Sequence, residues 1–350
     1  MSEIEVTQQP AKTVYKIGEQ LNITGLEVTA TYSNGTTGTV AITAADITGF
    51  SSAVEGEKTL TVTYRGKTAT FTITVTIPIE IIVTNTDEWN AAKSTVQNGG
   101  NYQDYIITVS GDVPVPGGFI NFGTATDVTI TLRGNGKLYL TSQGSLLSIS
   151  SGITLIIDSA DLTLEGLTDG QNGATQNNNI RMIAVSGKLE LRNGTICGNT
   201  SYNNNVSAGN AVLVNGSGAS FIMSGGIICD HVYDKSLNPY SGGIITEHGT
   251  VAIHNGSSFT MTGGTIRGNT VSGYGGGVYV SDATFRITNG TIYGSNETDP
   301  SLKNNAGNGA ALYLNGGTAQ RGTFNGETWV SSGDLSTTNN TIRVVNGALQ

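Results

Sequence analysis

The sequence predicts an all-β chain in two modules: a small β-sandwich over residues 1–78, then a helix-capped parallel β-helix over 79–350. Three observations carry that reading. Charged residues make up only 12% of the chain, against roughly 25% in an ordinary globular domain. Gly supplies 49 of 350 residues, about twice its usual share of roughly 7%, so ion pairs are few and tight turns many. Residues 4–77 alternate apolar and polar side chains in short runs between turn signals, whereas four later segments align with one another without gaps.

Composition also excludes function classes. The chain holds 17 basic and 26 acidic residues for a net charge of −9, with no Lys/Arg cluster, so nucleic acid and anionic membrane surfaces are poor partners. No apolar run reaches the roughly 18 to 20 residues of a membrane span, and Met1-Ser2-Glu3 does not begin a signal peptide, so an export signal is expected to be absent from this chain. Two cysteines, Cys197 and Cys229, make neither a disulfide framework nor a zinc cluster, and no metal set or cofactor motif is seen.

In the first module the clearest strand runs are Leu26 to Tyr32, Lys58 to Tyr64 and Thr68 to Thr76. Ser33-Asn34-Gly35 and Arg65-Gly66 supply the left-handed positions that tight hairpins need, so the flanking strands should pair antiparallel. Period-two alternation then points Phe71, Ile73 and Val75 at the core and Thr72, Thr74 and Thr76 at solvent. The order Thr13-Val14-Tyr15-Lys16-Ile17-Gly18-Glu19, Gly25-Leu26-Glu27-Val28, Tyr32-Ser33-Asn34-Gly35, Gly49-Phe50 and Gly56-Glu57-Lys58-Thr59-Leu60-Thr61-Val62-Thr63-Tyr64 resembles a group 3 bacterial immunoglobulin-like domain. That resemblance implies an immunoglobulin-like sandwich acting as a spacer or adhesive module of a surface protein, without catalytic residues.

Past Pro78 the best helical stretch in the chain is Thr86 to Gln97, with Thr86 placed to cap it, two acids in its first turn and Asn98-Gly99-Gly100 to stop it. A lone amphipathic helix before a long β region suits a lid, in which Trp89, Ala92 and Val96 cover the open end of a solenoid core.

The four aligned segments are Leu189–Thr200, Phe221–Val232, Phe259–Thr270 and Phe285–Asn296, whose starts lie 32, 38 and 26 residues apart. The columns Leu189/Phe221/Phe259/Phe285, Leu191/Met223/Met261/Ile287 and Ile196/Ile228/Ile266/Ile292 are apolar throughout, while the columns between them accept almost any residue. This is the inside and outside of stacked strands. Asn193-Gly194, Gly225-Gly226, Gly263-Gly264 and Asn289-Gly290 always place Gly second, where a left-handed residue bends one strand into the next.

A further strand per turn is read at Ala211–Val214, Val251–Ile253, Val278–Val280 and Ala311–Leu314. Three short strands per turn favour a parallel β-helix over a propeller, whose blades need antiparallel hairpins. Weaker rungs continue upstream through Tyr105–Val109, Val128–Leu132, Lys137–Leu140, Ser145–Ile149, Ile153–Ile157 and Leu162–Leu164. Together, residues 80–350 resemble the right-handed β-helix superfamily typified by pectate lyases, and the repeat-bearing surface proteins of gut and oral bacteria.

The column Asn199/His231/Asn269/Ser295 follows each corner Ile by three residues and should stack as a ladder that satisfies turn backbone groups, with a ligand site at His231 as the alternative. Cys197 and Cys229 hold equivalent places in successive rungs and are expected as stacked free thiols on a solvent face.

Enzymes of the resembling superfamily act on acidic polysaccharides through clustered carboxylates, bound calcium or a Lys/Arg base. The densest polar set here is Asp230, His231, Asp234 and Lys235, with Glu247 and His248 beyond, and Asp230 with Asp234 is the one local acid pair close enough in the chain for a two-carboxylate hydrolase. These are weak catalytic candidates.

The variable connections after each corner Ile hold Tyr202, Tyr233, Tyr240 and Tyr274 among asparagines and few charges. Aromatic faces with amides suit sugars, where the ring stacks and the amide donates and accepts. The expected function is a non-enzymatic, extracellular or cell-surface protein that presents an adhesive or carbohydrate-binding face to glycans or surface glycoconjugates. A polysaccharide lyase or hydrolase and a passive rod are the alternatives.

Overall fold

The computed structural model describes residues 1–118, 122–202, 210–237 and 249–350. It is nearly all β, with one α-helix among the described residues. The chain divides into two units, Met1–Ile79 with Gly100–Asp104, and Glu80–Gly99 with Tyr105–Gln350.

The first unit is a sandwich of a three-stranded sheet (Glu3–Gln8, Glu27–Thr31, Thr37–Val40) and a four-stranded sheet (Val14–Lys16, Lys67–Thr76, Gly56–Tyr64, Ile47–Thr48). Arg65 and Gly66, at φ 47° and 77°, turn Gly56–Tyr64 straight back onto Lys67–Thr76, with Tyr64 paired to Lys67. That register sends Phe71, Ile73 and Val75 inward against Val28, Ala30 and Tyr15, as alternation predicts.

The second unit is a parallel β-helix. Among its described residues the strands form sheets of ten, nine, six and four. One turn of the coil runs from the ten-stranded face (Lys188–Leu191) through a corner to the nine-stranded face (Thr195–Cys197). It continues to the four-stranded face (Thr200–Ser201), then to the six-stranded face (Val212–Asn215), and returns to the ten-stranded face at Ser220–Met223.

Successive turns pair in parallel and in register: Leu189 with Phe221, Phe221 with Phe259, and Phe259 with Phe285. The three apolar columns read from the repeats all lie fully buried in one continuous core. Inside it the rings of Phe221, Phe259 and Phe285 stack at 4.6 and 5.1 Å, close to the spacing of the strands that carry them.

The Gly of each corner dipeptide is left-handed: Gly194, Gly226, Gly264 and Gly290 have φ of 96°, 74°, 83° and 125°. A Cβ on Gly226 would also stand 2.7 Å from the carbonyl oxygen of Gly194 one turn below, so both conformation and space require glycine there.

Both ends of the stack are closed. At the start, the helix Thr86–Asn98 buries Trp89, Ala92 and Val96, and Trp89 meets Phe122 edge-on at 6.1 Å. Its cap is Asn85 rather than Thr86. Extended Asn85 accepts the Glu88 N–H at 3.0 Å, whereas the Thr86 hydroxyl is drawn away to donate to the Pro114 carbonyl at 2.6 Å. At the other end the pattern turns antiparallel: Thr328–Asp334 folds back on Thr318–Asn325, and Ile342–Val345 runs against Gly290–Ile292. The sequence reading did not anticipate this second closure, which removes an open parallel edge.

One further expectation needs correction. The connections after each corner Ile are not plain loops. Thr200–Ser201, Val232–Tyr233, Thr270–Tyr274 and Asn305–Asn308 pair as a fourth sheet, so these turns carry four strands rather than three.

Candidate functional site

The corner between the nine- and four-stranded faces is built by a buried polar ladder. The Asn199 N–H donates to His231 Nδ1 at 3.3 Å, the His231 N–H to Asn269 Oδ1 at 3.0 Å, and the Asn269 N–H to Asn304 Oδ1 at 2.9 Å. Three of the side chains also reach a carbonyl of the isoleucine column one turn back, His231 Nε2 to Ile196, Asn269 Nδ2 to Ile228 and Asn304 Nδ2 to Ile266, while Asn199 Nδ2 donates to the Ile180 and Asn210 carbonyls. All four are fully buried.

His231 therefore stands in for an asparagine. With Nδ1 accepting, its proton sits on Nε2 and donates to Ile196, and burial holds the ring neutral with its pKa pushed down to about 4. It is neither a ligand site nor a general base open to substrate. The fourth ladder member is Asn304, not Ser295: Ser295 instead donates its N–H to the Asn339 carbonyl, and the turn around Asp299–Lys303 delivers Asn304 to the ladder position.

Asp230 and Asp234, the acid pair read from the sequence, sit in separate local turns. Asp230 lies exposed in the corner after Cys229, at φ 60°. Asp234 lies beyond the next strand, capping a short turn by accepting the Ser236 N–H at 2.8 Å. Glu247 and His248 fall outside the described residues.

A denser charged set, unnoticed in the sequence, is Lys137 with Glu165 at 2.9 Å and Asp112 at 3.7 Å. Register reveals it, because Asp112 pairs with Lys137 across adjacent turns. Burial pulls the Lys137 pKa down, but the hydrogen bond and charge of Glu165, with Asp112, outweigh it and leave the pKa raised. It is a held cation, not a base.

Cys197 and Cys229 are free and in register on adjacent strands. Only Cys197 keeps partial exposure. Cys229 is 4% exposed, so the solvent face expected for the pair is largely covered. Burial first, then the carboxylates of Glu165 and Asp230, pushes the Cys197 pKa up to about 12, and burial with Asp230 raises Cys229 as well.

The aromatic reading is partly redrawn. Tyr233 is buried, at 1% exposure, within the four-stranded face, and burial raises its pKa, so it cannot meet a ligand. Tyr202 is half-buried and its hydroxyl accepts from Gln143 Nε2 at 2.9 Å. Tyr240 falls outside the described residues.

Tyr274, at the end of its strand, stacks on Tyr313 with ring centroids 4.5 Å apart. Tyr313 in turn stacks on Tyr279 at 5.7 Å, and Tyr279 lies 5.4 Å from His254. Tyr279 and Tyr313 are in-register neighbours in the outward column Leu213–Ala252–Tyr279–Tyr313 of the six-stranded face. With Tyr274 this column makes an apolar cluster outside the solenoid core.

The outermost members, Tyr274 and Tyr313, are partly exposed, with Asn308 paired above Tyr274 and Asn315 donating to the Tyr279 hydroxyl at 3.1 Å. Tyr279 and Tyr313 were readable from Val278-Tyr279-Val280 and Leu312-Tyr313-Leu314, since a ring between two inward residues must point outward.

Shallow polar hollows line the turns between the six- and ten-stranded faces. One, of about 280 Å³, has Asp127, Ser151, Thr154 and Lys188 in its wall. Another, of about 350 Å³, is lined by Asp282 and Thr284. Neither gathers a pair of carboxylates. Among the described residues no three His, Cys, Asp or Glu side chains group to hold a metal, and no helix is long and apolar enough to cross a membrane.

Residues 8–75 match the Bacterial Ig-like domain (group 3) family. The chain thus joins a bacterial Ig-like domain to a parallel β-helix. It is also similar to pectate lyase L of Thermoclostridium stercorarium, at 38% identity over 68 residues. That match covers 19% of this chain and 6% of that protein.

Proposed function

We propose that this is a non-enzymatic bacterial protein, secreted or held at the cell surface, whose β-helix presents a carbohydrate-binding face centred on Tyr274 and Tyr313. The observation that carries the reading is the partly exposed stack of those two rings, with Asn308 paired to Tyr274 on the next strand and the Asn315 amide on the Tyr279 hydroxyl. A flat apolar surface bordered by neutral donors and acceptors suits the face and hydroxyls of a pyranose ring. The bacterial Ig-like match supports an extracellular setting with the sandwich as a spacer. The short similarity to a pectate lyase supports a carbohydrate context, but it covers too little of either protein to bring a reaction with it.

A glycan array probed with the purified chain tests the proposal, followed by titration of any hit against Tyr274→Ala and Tyr313→Ala. Each change should weaken binding roughly two- to tenfold. Unchanged affinity in both variants, or no hit at all, leaves a passive rod. The same samples are assayed for new reducing or unsaturated sugar ends. Saturable release that is lost in Asp230→Asn would put the enzyme reading first.

A further inference from the structure

The rung that contains Cys229 departs from its neighbours at two successive positions. Where the turns below and above place Gly198 and Gly268, at φ 70° and 67°, this turn places Asp230 at φ 60°. Where they place Asn199 and Asn269, it places His231. His231 is explained by the ladder, since it makes the same bonds as the asparagines. Asp230 is not: the corner calls for glycine, and the sequence instead sets an exposed carboxylate there, next in the chain to Cys229.

Directly beneath Cys229 in the parallel ladder is Cys197, and both thiols are free. Paired residues on neighbouring strands sit about 4.8 Å apart with their side chains on the same face. Two metal–sulfur bonds of about 2.3 Å laid end to end span nearly the same length. Glu165 pairs below Cys197 and Arg267 above Cys229, so the column reads carboxylate, thiol, thiol, guanidinium. Lys137 is bonded to Glu165, and Arg267 donates to the Ser301 carbonyl.

We propose that Cys197 and Cys229 form a two-sulfur site for a soft monovalent cation of the Cu(I) and Ag(I) class, with Asp230 as the polar entrance. Such ions are satisfied by two thiolates in line, so the site needs no third ligand, and sulfur selects them over harder cations. Binding breaks two S–H bonds and makes two metal–sulfur bonds. Two protons leave to water and nothing is oxidised or reduced. The bound bis-thiolate carries one negative charge; the cations Arg267 and Lys137 offset it, and the carboxylates of Glu165 and Asp230 oppose it. Partial exposure of Cys197 and the exposed position of Asp230 give the ion a way in.

The test uses the full chain and Ag(I) as the probe, titrated calorimetrically in chloride-free buffer. Cys197→Ser, Cys229→Ser and the double variant are run alongside, and thermal melts confirm that each is folded. The expected result is one ion per chain, two protons released per ion, and at least a hundredfold weaker binding in either single variant. Both thiols should also lose reactivity toward a disulfide reagent once one ion is bound. Two ions per chain with each single variant keeping one undiminished site would overturn the proposal. So would wild-type affinity no greater than that of the double variant, or the absence of free thiols in the unreduced, denatured chain.

Discussion

The turns between Tyr105 and Val185 and those between Lys188 and Asn315 are the same solenoid inside and different outside. Upstream, the outward position of the six-stranded face is Ser148, then Ala184. Downstream, the same column continues as Leu213, Ala252, Tyr279 and Tyr313. The downstream turns also gain the fourth sheet and the His231–Asn269–Asn304 ladder. Inward positions show no such change: Leu155, Leu189, Phe221 and Phe259 are equally buried in one core. Stacking in register constrains the inside of every turn alike, because each inward side chain must fit the one below it. The outside is free to vary, and that is where recognition can be added.

The comparison predicts the largest effects inside. Phe259→Ala removes a ring stacked on both sides and should cost about 3 to 5 kcal/mol, and the upstream equivalent Leu155→Ala about 2 to 5 kcal/mol. Denaturant melts of both variants measure this, and a negligible loss at Leu155 would mean that the upstream turns are not packed as the downstream ones are.

The buried ladder gives the next effect, and it depends on pH. The His231 pKa of about 4 in the fold lies below the value of about 6.5 expected in an unfolded chain, so on acidification the unfolded state takes up the proton first. This contribution leaves stability unchanged above about pH 7, lowers it between about 6.5 and 4, and levels off below, for a total of about 3 kcal/mol. His231→Asn, which restores the residue used by neighbouring turns, should remove that component when the two chains are melted side by side at pH 7 and pH 4.5.

Asn269→Ala strips the partner from the His231 N–H and the Ile228 carbonyl and should cost about 1 to 3 kcal/mol at any pH. Equal stability would show that the ladder contributes alignment only.

Outside, the effects on stability shrink and those on binding begin. Tyr274→Ala and Tyr313→Ala should each weaken an array-identified glycan by about 0.5 to 1.5 kcal/mol. Ser148→Ala, in the upstream part of the same outward column, should change stability by no more than about 0.5 kcal/mol and leave glycan affinity alone. A Ser148 variant as damaging to binding as the tyrosine variants would erase the distinction between the two regions.

The apolar columns, the corner glycines, the hairpin turns of the sandwich and the buried face of the helix could all be read from residue order alone. Each depends on local rules: a period of two along a strand, 3.6 along a helix, and glycine where φ is positive. The same alternation points Tyr279 and Tyr313 outward.

Other features depend on which residues become neighbours across a turn, and no offset along the chain states that. Ser295 holds the ladder position by alignment, yet Asn304 takes it after the chain makes an extra turn. Tyr233 sits in a connection by sequence, yet in the fold it lies inside a fourth sheet. Lys137 becomes a held cation only once two neighbouring turns bring Asp112 and Glu165 beside it. Repetition in the sequence determined what lies inside the coil, because every turn repeats the same local geometry. Only the tertiary structure decided what lies against what on its surface, because connections of different length reset the offset at each turn.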